Sequence, residues 1–110
     1  MEELLANAQE FVDSAEDNLI KKRFNACVSD YFKAMTNLCD YKIYSEMKIV
    51  VKNHNERFDL LKKYYPYIYE KIFDLFKKYR ESYNLRLNRE DAMLLKKYVY
   101  ELKRIISDKK

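Results

Sequence analysis

Residues 77–91 form a short polar stretch that carries the side chains best suited to bind phosphate. The stretch lies between two apolar helical patterns, and its candidate residues are Arg80, Tyr83, Asn84, Arg86 and Arg89. Guanidinium groups donate paired hydrogen bonds to phosphate, and a tyrosine ring can stack on a base. Spacing of i, i+3 and i+4 places the first three residues on one helix face, if the helix extends that far. The stretch is therefore a candidate nucleotide or RNA site.

The same stretch also has a structural interpretation. Arg80 follows the apolar stripe that ends at Tyr79, so its guanidinium would lie at the rim of the groove beside the last helix. An arginine at that point can instead donate to the last carbonyls of its own helix. The residues alone leave these two interpretations open.

Glycine is absent from the chain, and proline occurs once, at Pro66. Tight hairpin turns and phosphate-binding loops both need glycine, so this composition excludes the Walker loop and the dinucleotide-binding fingerprint. It also favours an all-α fold. The length of 110 residues fits one domain, and we expect residues 1–110 to form a single helical unit.

Apolar residues recur at helical spacing in five segments of the chain. The first segment covers about residues 2–20 and ends at a polar break, residues 21–24. The second begins at Phe24. Its end falls somewhere within residues 45–53, where Ile49–Val51 can either extend the helix or pack as a loop.

Capping residues and the single proline mark the remaining helices. Asn53 followed by Glu56 resembles a capping box and starts a short third helix. Pro66 ends that helix and suits the first turn of the fourth. Asn88, with Asp91 three residues later, starts the fifth. The sequence therefore predicts an up-and-down bundle of four long helices plus one short helix.

Charge and cysteine usage bear on the partners and the cellular location. Residues 1–20 contain six acids and no Lys or Arg, whereas residues 77–104 contain nine basic residues and four acids. This asymmetry fits a nucleic-acid or acidic partner, although solvated helix surfaces also carry charge. Cys27 and Cys39 lie roughly 18 Å apart along one helix, too far for a disulfide. Because no signal peptide or membrane-spanning run is visible, we expect a cytoplasmic protein.

Side chains for metal or nucleophilic chemistry are sparse. His54 is the only histidine and has no second His or Cys at ligand spacing, so no metal or other cofactor is predicted. We expect His54 to be a half-exposed residue in the first turn of the third helix. Cys27 and Cys39 fall on or near the apolar stripe and are expected in the core, since no histidine accompanies either thiol.

Eleven tyrosines are unusual for a chain of this length. Most follow the apolar stripes and are expected to be core or interface residues, among them Tyr31, Tyr65, Tyr79 and Tyr98. The tyrosine cluster in residues 62–71 cannot point inward as a whole, so part of it favours a partner surface over a base-stacking platform. Together with the apolar last helix, this surface predicts a homodimer.

The order of these elements resembles the HEPN family, small helical domains of prokaryotic nucleotide-linked and toxin–antitoxin systems. The resemblance covers nearly the whole chain and rests on SAEDNLIKKRFNACVSDYFKAM, the single His54, YRESY and the final EDAMLLKKYVYELKRII. Members that cut RNA carry Arg, four to six residues and then His, which act in a dimer without metal. Arg80 stands at the Arg position, but no His follows, and the window where it falls in the family reads Leu85, Arg86, Leu87.

The resemblance implies a non-catalytic branch of the family, because arginine cannot serve as a proton shuttle near neutral pH. Such a module would dimerise and act beside a minimal nucleotidyltransferase, with a nucleotide or a transferase substrate as its ligand. In some related pairs the transferase adenylylates a tyrosine near this motif, and Tyr83 is the nearest candidate. Two alternatives remain: an RNase toxin that uses Arg80 with another proton acceptor, and a basic RNA-binding protein that does not cleave.

Overall fold

The structure is a computed structural model that describes residues 1–107, and within this range the chain forms five helices. They are α1 (Glu2–Ile20), α2 (Phe24–Met47), α3 (His54–Tyr64), α4 (Pro66–Glu81) and α5 (Arg89–Ser107). No strand occurs in these residues, so the all-α prediction is confirmed. Four helices have 16 to 24 residues and α3 has 11. The last three residues of the domain predicted over 1–110 lie outside the described range.

Local hydrogen bonds explain where α3 and α5 begin. The Asn53 side chain accepts from the backbone N–H of Glu56 at 2.9 Å, which starts α3 as predicted. The Glu56 carboxylate accepts from the N–H of Lys52 at 2.8 Å, one residue before the position typical of a capping box. Asn88 and Asp91 form a reciprocal pair, in which each side chain accepts from the other residue's N–H at 2.9 and 3.0 Å. This pair starts α5 where the sequence predicted it.

Helix α2 ends at Met47 because Lys48 adopts a left-handed backbone conformation, with φ of 60°. The chain then continues as a loop. Ile49 and Val51 pack against the core, whereas Val50 is 54% exposed. Of the two possibilities that the sequence left open for this segment, the loop is the one that occurs.

Helix α2 is the centre of the fold, because it packs against each of the other four helices. Helices α3 and α4 also pack against each other. The largest fully buried apolar side chains come from α2, α3, α4 and α5: Tyr31, Phe32, Met35, Ile43, Leu61, Ile68, Ile72, Leu95 and Leu102. The radius of gyration of 13.4 Å is close to the ~13 Å typical of a folded chain of this size. Within residues 1–107, no helix combines the length and the hydropathy that a membrane span requires.

The apolar stripe of α5 is covered by the chain itself. Leu95, Val99 and Leu102 are fully buried, and α5 packs on α2. The stripe therefore needs no second chain to cover it. The expectation that the apolar last helix needs a second chain to cover it is wrong, because the sequence pattern does not show which element covers an apolar face.

The cysteines and the stripe tyrosines lie in the core, as predicted. Cys27 and Cys39 are fully buried and unpaired, and burial raises the pKa of each thiol to about 12. The buried tyrosines are Tyr31, Tyr65, Tyr79 and Tyr98. Tyr64 and Tyr67 are 47% and 55% exposed, so the expectation that part of the tyrosine cluster faces solvent is confirmed.

Candidate functional site

A pocket of about 370 Å³ opens between α3 and α4. The side chains that line it come from the start of α3 and from α4: His54, Asn55, Phe58, Phe73, Phe76, Lys77 and Arg80. It is termed the His54–Arg80 pocket below. These two residues are 26 positions apart in the sequence, and the packing of α3 against α4 brings them to one cavity.

Aromatic rings form the walls of the pocket and the layer beneath it. The ring centroid of Phe76 lies 5.1 Å from that of Phe58, in an edge-on contact, and 5.3 Å from that of His54. Beneath them, the fully buried Phe32 of α2 stacks on Tyr79 at 4.6 Å and contacts Phe76 at 5.6 Å. Stacked and edge-on contacts of this kind fix the positions of the rings. The walls are therefore formed before any ligand binds.

Two cations lie at the pocket without an acidic partner. The Arg80 guanidinium lies over the face of Phe76, 5.9 Å from the ring centroid, and Lys77 lines the same cavity. Within residues 1–107, neither side chain makes a hydrogen bond or a salt bridge, and no carboxylate lines the pocket. Guanidinium and ammonium groups with unused donors are suited to bind an anion.

The structural interpretation of Arg80 requires its guanidinium to bond the last carbonyls of α4. Backbone N–H groups of residues 82–85 bond those carbonyls instead, at 2.9 to 3.3 Å. The Arg80 side chain lies on the Phe76 ring and makes none of these bonds. The structural interpretation is therefore wrong, because the turn after α4 satisfies the helix end by itself.

A network of polar contacts leads from α2 to the pocket. The Arg57 guanidinium donates two hydrogen bonds to the Asp40 carboxylate, at 2.7 and 2.8 Å, and the two side chains are only 10% and 12% exposed. Another nitrogen of Arg57 lies 2.7 Å from Nδ1 of His54. Because a guanidinium can only donate, Nδ1 is the acceptor, and the proton of the neutral imidazole is on Nε2. These three residues are termed the Asp40–Arg57–His54 network.

The network also sets the charge of His54, which is the exposed first residue of α3. Burial and then the positive charge of Arg57 lower the pKa of His54, against a smaller opposing effect of Asp40. The imidazole is therefore neutral at pH 7, and its one free group is the Nε2–H donor. Residues 1–107 contain no group of three or more His, Cys, Asp or Glu that could hold a metal ion, so His54 belongs to no such group there.

Helix α4 ends at Glu81, three residues short of what the predicted site requires. The Ser82 hydroxyl donates to a carbonyl of the last turn at 2.5 Å, and the chain turns there. Arg80, Tyr83 and Asn84 therefore do not share one helix face, and that prediction is wrong. Of the residues predicted to bind a ligand, only Arg80 lines the His54–Arg80 pocket.

Tyr83 reaches the aromatic layer through Tyr79. The two hydroxyl oxygens are 2.6 Å apart, and the rings meet edge-on with centroids at 5.4 Å. Tyr79 stacks in turn on Phe32 beneath the pocket. Tyr83 is nevertheless 71% exposed, so it is a surface residue beside the pocket rather than one of its walls.

Asn25 holds the loop between α4 and α5, and sequence reasoning missed it. Its side-chain amide donates to the carbonyls of Ser82 and Leu85 at 2.8 and 2.5 Å, and its oxygen accepts from the N–H of Leu87 at 3.0 Å. These partners follow it by 57 to 62 residues. An asparagine in the first turn of a helix carries no sequence signal for such a distant contact.

The rest of the predicted basic site lies in this loop and at the start of α5. Asn84 and Arg86 are exposed in the loop and do not line the pocket. Arg89 begins α5, and its guanidinium lies 5.2 Å from the ring centroid of Phe24. The structure thus divides one continuous sequence stretch between two places.

No protein-family model, curated protein or solved structure matches this chain. Its relationship to the HEPN family is consequently a proposal, supported by the order and spacing of the residues.

Proposed function

We propose that the chain is a non-catalytic, HEPN-like helical module whose His54–Arg80 pocket binds a nucleotide, either free or at the end of an RNA. The observation that carries this proposal is the pair Lys77 and Arg80, two cations without an acidic partner in residues 1–107, beside aromatic walls. Phosphate matches the cations, and a base offers a flat ring to the walls. The volume of about 370 Å³ is near the lower end of the range for ligand sites, so it fits a single nucleotide.

The state of His54 supports binding rather than cleavage. Metal-independent cleavage of RNA needs a group that takes the proton of the 2′-hydroxyl. His54 shares the pocket with Arg80, which taken alone would favour the RNase alternative. Nδ1 of His54 already accepts from Arg57, however, and Nε2 carries the proton. The neutral imidazole therefore has no free lone pair for this step.

The HEPN-like arrangement and its cellular role are part of the proposal. Four longer helices and the short α3 follow the predicted order, with α2 at the centre. From the resemblance we infer a minimal nucleotidyltransferase as partner, in a cytoplasmic system of the toxin–antitoxin type. Tyr83 is exposed beside the pocket, and its hydroxyl would have to leave its hydrogen bond with Tyr79 to be modified by such a transferase.

A homodimer is a further part of the proposal. Large apolar side chains are exposed on α3, α4 and α5: Tyr64, Tyr67, Phe73, Met93 and Leu94. Exposed aromatic and methionine side chains are enriched at subunit interfaces. Light scattering should therefore give twice the chain mass of 13.5 kDa. A monomer mass at the concentrations used for binding would contradict the homodimer. It would not affect the pocket, which lies within a single chain.

The variant Arg80→Ala tests the nucleotide proposal. Calorimetry should show that mononucleotides bind the wild type and bind the variant roughly tenfold to a hundredfold more weakly, because hydrogen bonds to a charged group contribute about 1.5–3 kcal/mol. Binding to the wild type should also weaken as salt rises, since cations that meet phosphate release counterions. The melting temperature should change little, because the Arg80 guanidinium makes no hydrogen bond within residues 1–107.

Arg104→Ala is the matched control, because Arg104 is exposed near the end of α5 and does not line the pocket. Its affinity should equal that of the wild type. Arg86→Ala measures the contribution of the loop and should cost less affinity than Arg80→Ala. If Arg104→Ala and Arg80→Ala lose nucleotide affinity equally, the binding depends on the overall positive charge of the protein rather than on the pocket. An unchanged affinity in Arg80→Ala would contradict the proposal.

A further inference from the structure

We propose that His54 reads an uncharged acceptor on the base of the bound nucleotide, and that Asp40 and Arg57 hold it as the donor for this contact. The inference rests on the proposed nucleotide-binding function and adds to it a residue that determines specificity. It assigns His54 to ligand contact and the other two residues to positioning.

Asp40 and Arg57 anchor the network. Asp40 and Arg57 are joined by two hydrogen bonds at 2.7 and 2.8 Å in a place that is almost closed to solvent. A paired arginine and carboxylate in such a place has little freedom, because each would lose its partner by moving. The nitrogen that Arg57 presents to His54 is therefore fixed, and so is the imidazole nitrogen that accepts from it.

Nε2 of His54 is the open end of the network. Nδ1 of His54 is occupied at 2.7 Å, so the proton of the neutral ring lies on Nε2. Within residues 1–107, Nε2 has no hydrogen-bond partner. His54 lines the pocket, which leaves this donor available to whatever the pocket holds.

His54 is placed to contact the base of the ligand rather than its phosphate. Lys77 and Arg80 carry the positive charge that a phosphate needs, whereas the neutral imidazole adds none. The centroid of the His54 ring lies 5.3 Å from that of Phe76 and 6.2 Å from that of Phe58, among the rings on which a base would lie. A neutral N–H donor beside a base is matched by a carbonyl oxygen or a ring nitrogen on the edge of that base.

Two variants of His54 separate the donor from the ring. His54→Phe keeps an aromatic ring next to Phe76 but has no donor, and His54→Gln has no ring but places an N–H donor near the position of Nε2. His54 is exposed at the start of α3, so the fold should tolerate either change. Calorimetry measures the affinity for the four common ribonucleoside monophosphates and, separately, for inorganic phosphate. The two sets of affinities distinguish the base contact from the phosphate contact.

The expected pattern is specific to the base. His54→Phe should bind the preferred monophosphate roughly three- to tenfold more weakly than the wild type, as for the loss of one neutral hydrogen bond. It should bind inorganic phosphate as the wild type does. His54→Gln should recover most of the lost affinity, whereas Arg80→Ala should weaken the binding of both probes.

Nuclear magnetic resonance of ¹⁵N-labelled protein reports the role of Asp40 and Arg57 without any ligand. The imidazole of His54 at pH 7 should show the neutral form with its proton on Nε2. In the double variant Asp40→Asn, Arg57→Gln, the ring should become a mixture of the two neutral forms, and the affinity for the preferred monophosphate should fall while that for phosphate stays. If this variant does not fold, the wild-type spectrum and the two His54 variants still decide the question.

Several results would overturn the inference. A protonated His54 in the wild type at pH 7, or a neutral ring with its proton on Nδ1, would show that Asp40 and Arg57 do not hold His54 as an Nε2–H donor. If His54→Phe binds the monophosphate as tightly as the wild type does, or loses equal affinity for phosphate and nucleotide, His54 does not contact the base. The proposed function would remain in place. If the wild type binds neither probe, the proposed function fails, and this inference fails with it.

Discussion

Lys77 and Lys78 are neighbours on α4, but they lie in different surroundings. The Lys78 ammonium is 3.0 Å from the Asp91 carboxylate and 3.4 Å from that of Glu81, so two acids neutralise it where α4 meets the start of α5. Lys77 lines the His54–Arg80 pocket, and no acid among residues 1–107 lines that pocket. One face of α4 therefore pairs its charge within the chain, and the other leaves its charge open to a ligand.

The neighbouring element decides the role of a basic residue in this helix. Consecutive residues point about 100° apart around a helix, so one step along α4 moves a side chain from the α5 side to the α3 side. At the α5 side, Asp91 serves twice, as the cap partner of Asn88 and as the ion partner of Lys78. At the α3 side, aromatic rings take the place of acids.

Charge reversal at the two lysines should separate the two faces of α4 most strongly. Lys77→Glu should weaken nucleotide binding on the order of a hundredfold, because it turns an attraction for phosphate into a repulsion, and should leave the melting temperature nearly unchanged. Lys78→Glu should lower the free energy of unfolding by roughly 1–2 kcal/mol, because it places a third carboxylate beside Glu81 and Asp91. Calorimetry and urea denaturation on both variants give the two quantities.

Each variant is the control for the other. Lys78→Glu should keep the affinity of the wild type at temperatures where it is folded, and Lys77→Glu should keep its stability. If both variants lose affinity to the same extent, the ligand responds to the overall charge of α4 rather than to the pocket. That result would remove the distinction between the two faces.

Asp91→Ala tests only the face of α4 that pairs its charge within the chain. It should lower the free energy of unfolding by about 1–2 kcal/mol, because it removes the cap bond to Asn88 and the partner of Lys78. Nucleotide affinity should stay as in the wild type. Asp74→Ala is the matched control, since Asp74 is an exposed carboxylate on α4, and its effect should stay within about 0.5 kcal/mol.

The effect of Asp91 should also depend on pH. Partial burial acts to raise the pKa of Asp91, but its bond to Asn88 and the charge of Lys78 together outweigh burial and lower it. A carboxyl whose pKa is lower in the folded chain contributes stability above its unfolded pKa of ~3.9 and loses that contribution as pH falls through the folded pKa. The stability difference between wild type and Asp91→Ala should therefore be full at neutral pH and shrink below about pH 4. A difference that persists in acid would show that the charge of Asp91 contributes nothing.

Most helix positions could be predicted because local interactions decide them. The capping residues Asn53 and Asn88 start α3 and α5 where their side chains predict, and Pro66 is the first residue of α4. The end of α2 could not be predicted in the same way. A left-handed lysine, Lys48, ends that helix, and this conformation is favoured by glycine or asparagine rather than by lysine.

The candidate site could be predicted only in part, because distant segments form it. Arg80 is predicted from its own helix, but nothing in the sequence joins His54 to it, because only the packing of α3 on α4 brings the two residues to one pocket. Asp40 and Arg57 are 17 residues apart and look like ordinary surface charges in the sequence. Asn25 bonds the loop between α4 and α5 across an even longer separation in the sequence. Local rules do not reach such contacts.

The smallest expected effect is on RNA itself, which should remain intact. Purified wild-type protein incubated with single-stranded RNA and with transfer RNA should give the same bands on a denaturing gel as RNA without protein. The reason lies in the pocket. Nδ1 of His54 already accepts a hydrogen bond from Arg57, and the Arg80 guanidinium cannot take up a proton. Arg80→Ala should give the same gel as the wild type.

Cleavage that disappears in both Arg80→Ala and His54→Phe would favour the RNase toxin, because the two side chains would then act together on one bond. Cleavage that survives both changes would come from another source. The absence of cleavage is informative only beside measured nucleotide binding, since a pocket that binds nothing also cuts nothing. Arg80, Lys77 and His54 all present donors to this pocket. Such a set can hold a phosphate and a base, but it cannot accept the proton that cleavage has to remove.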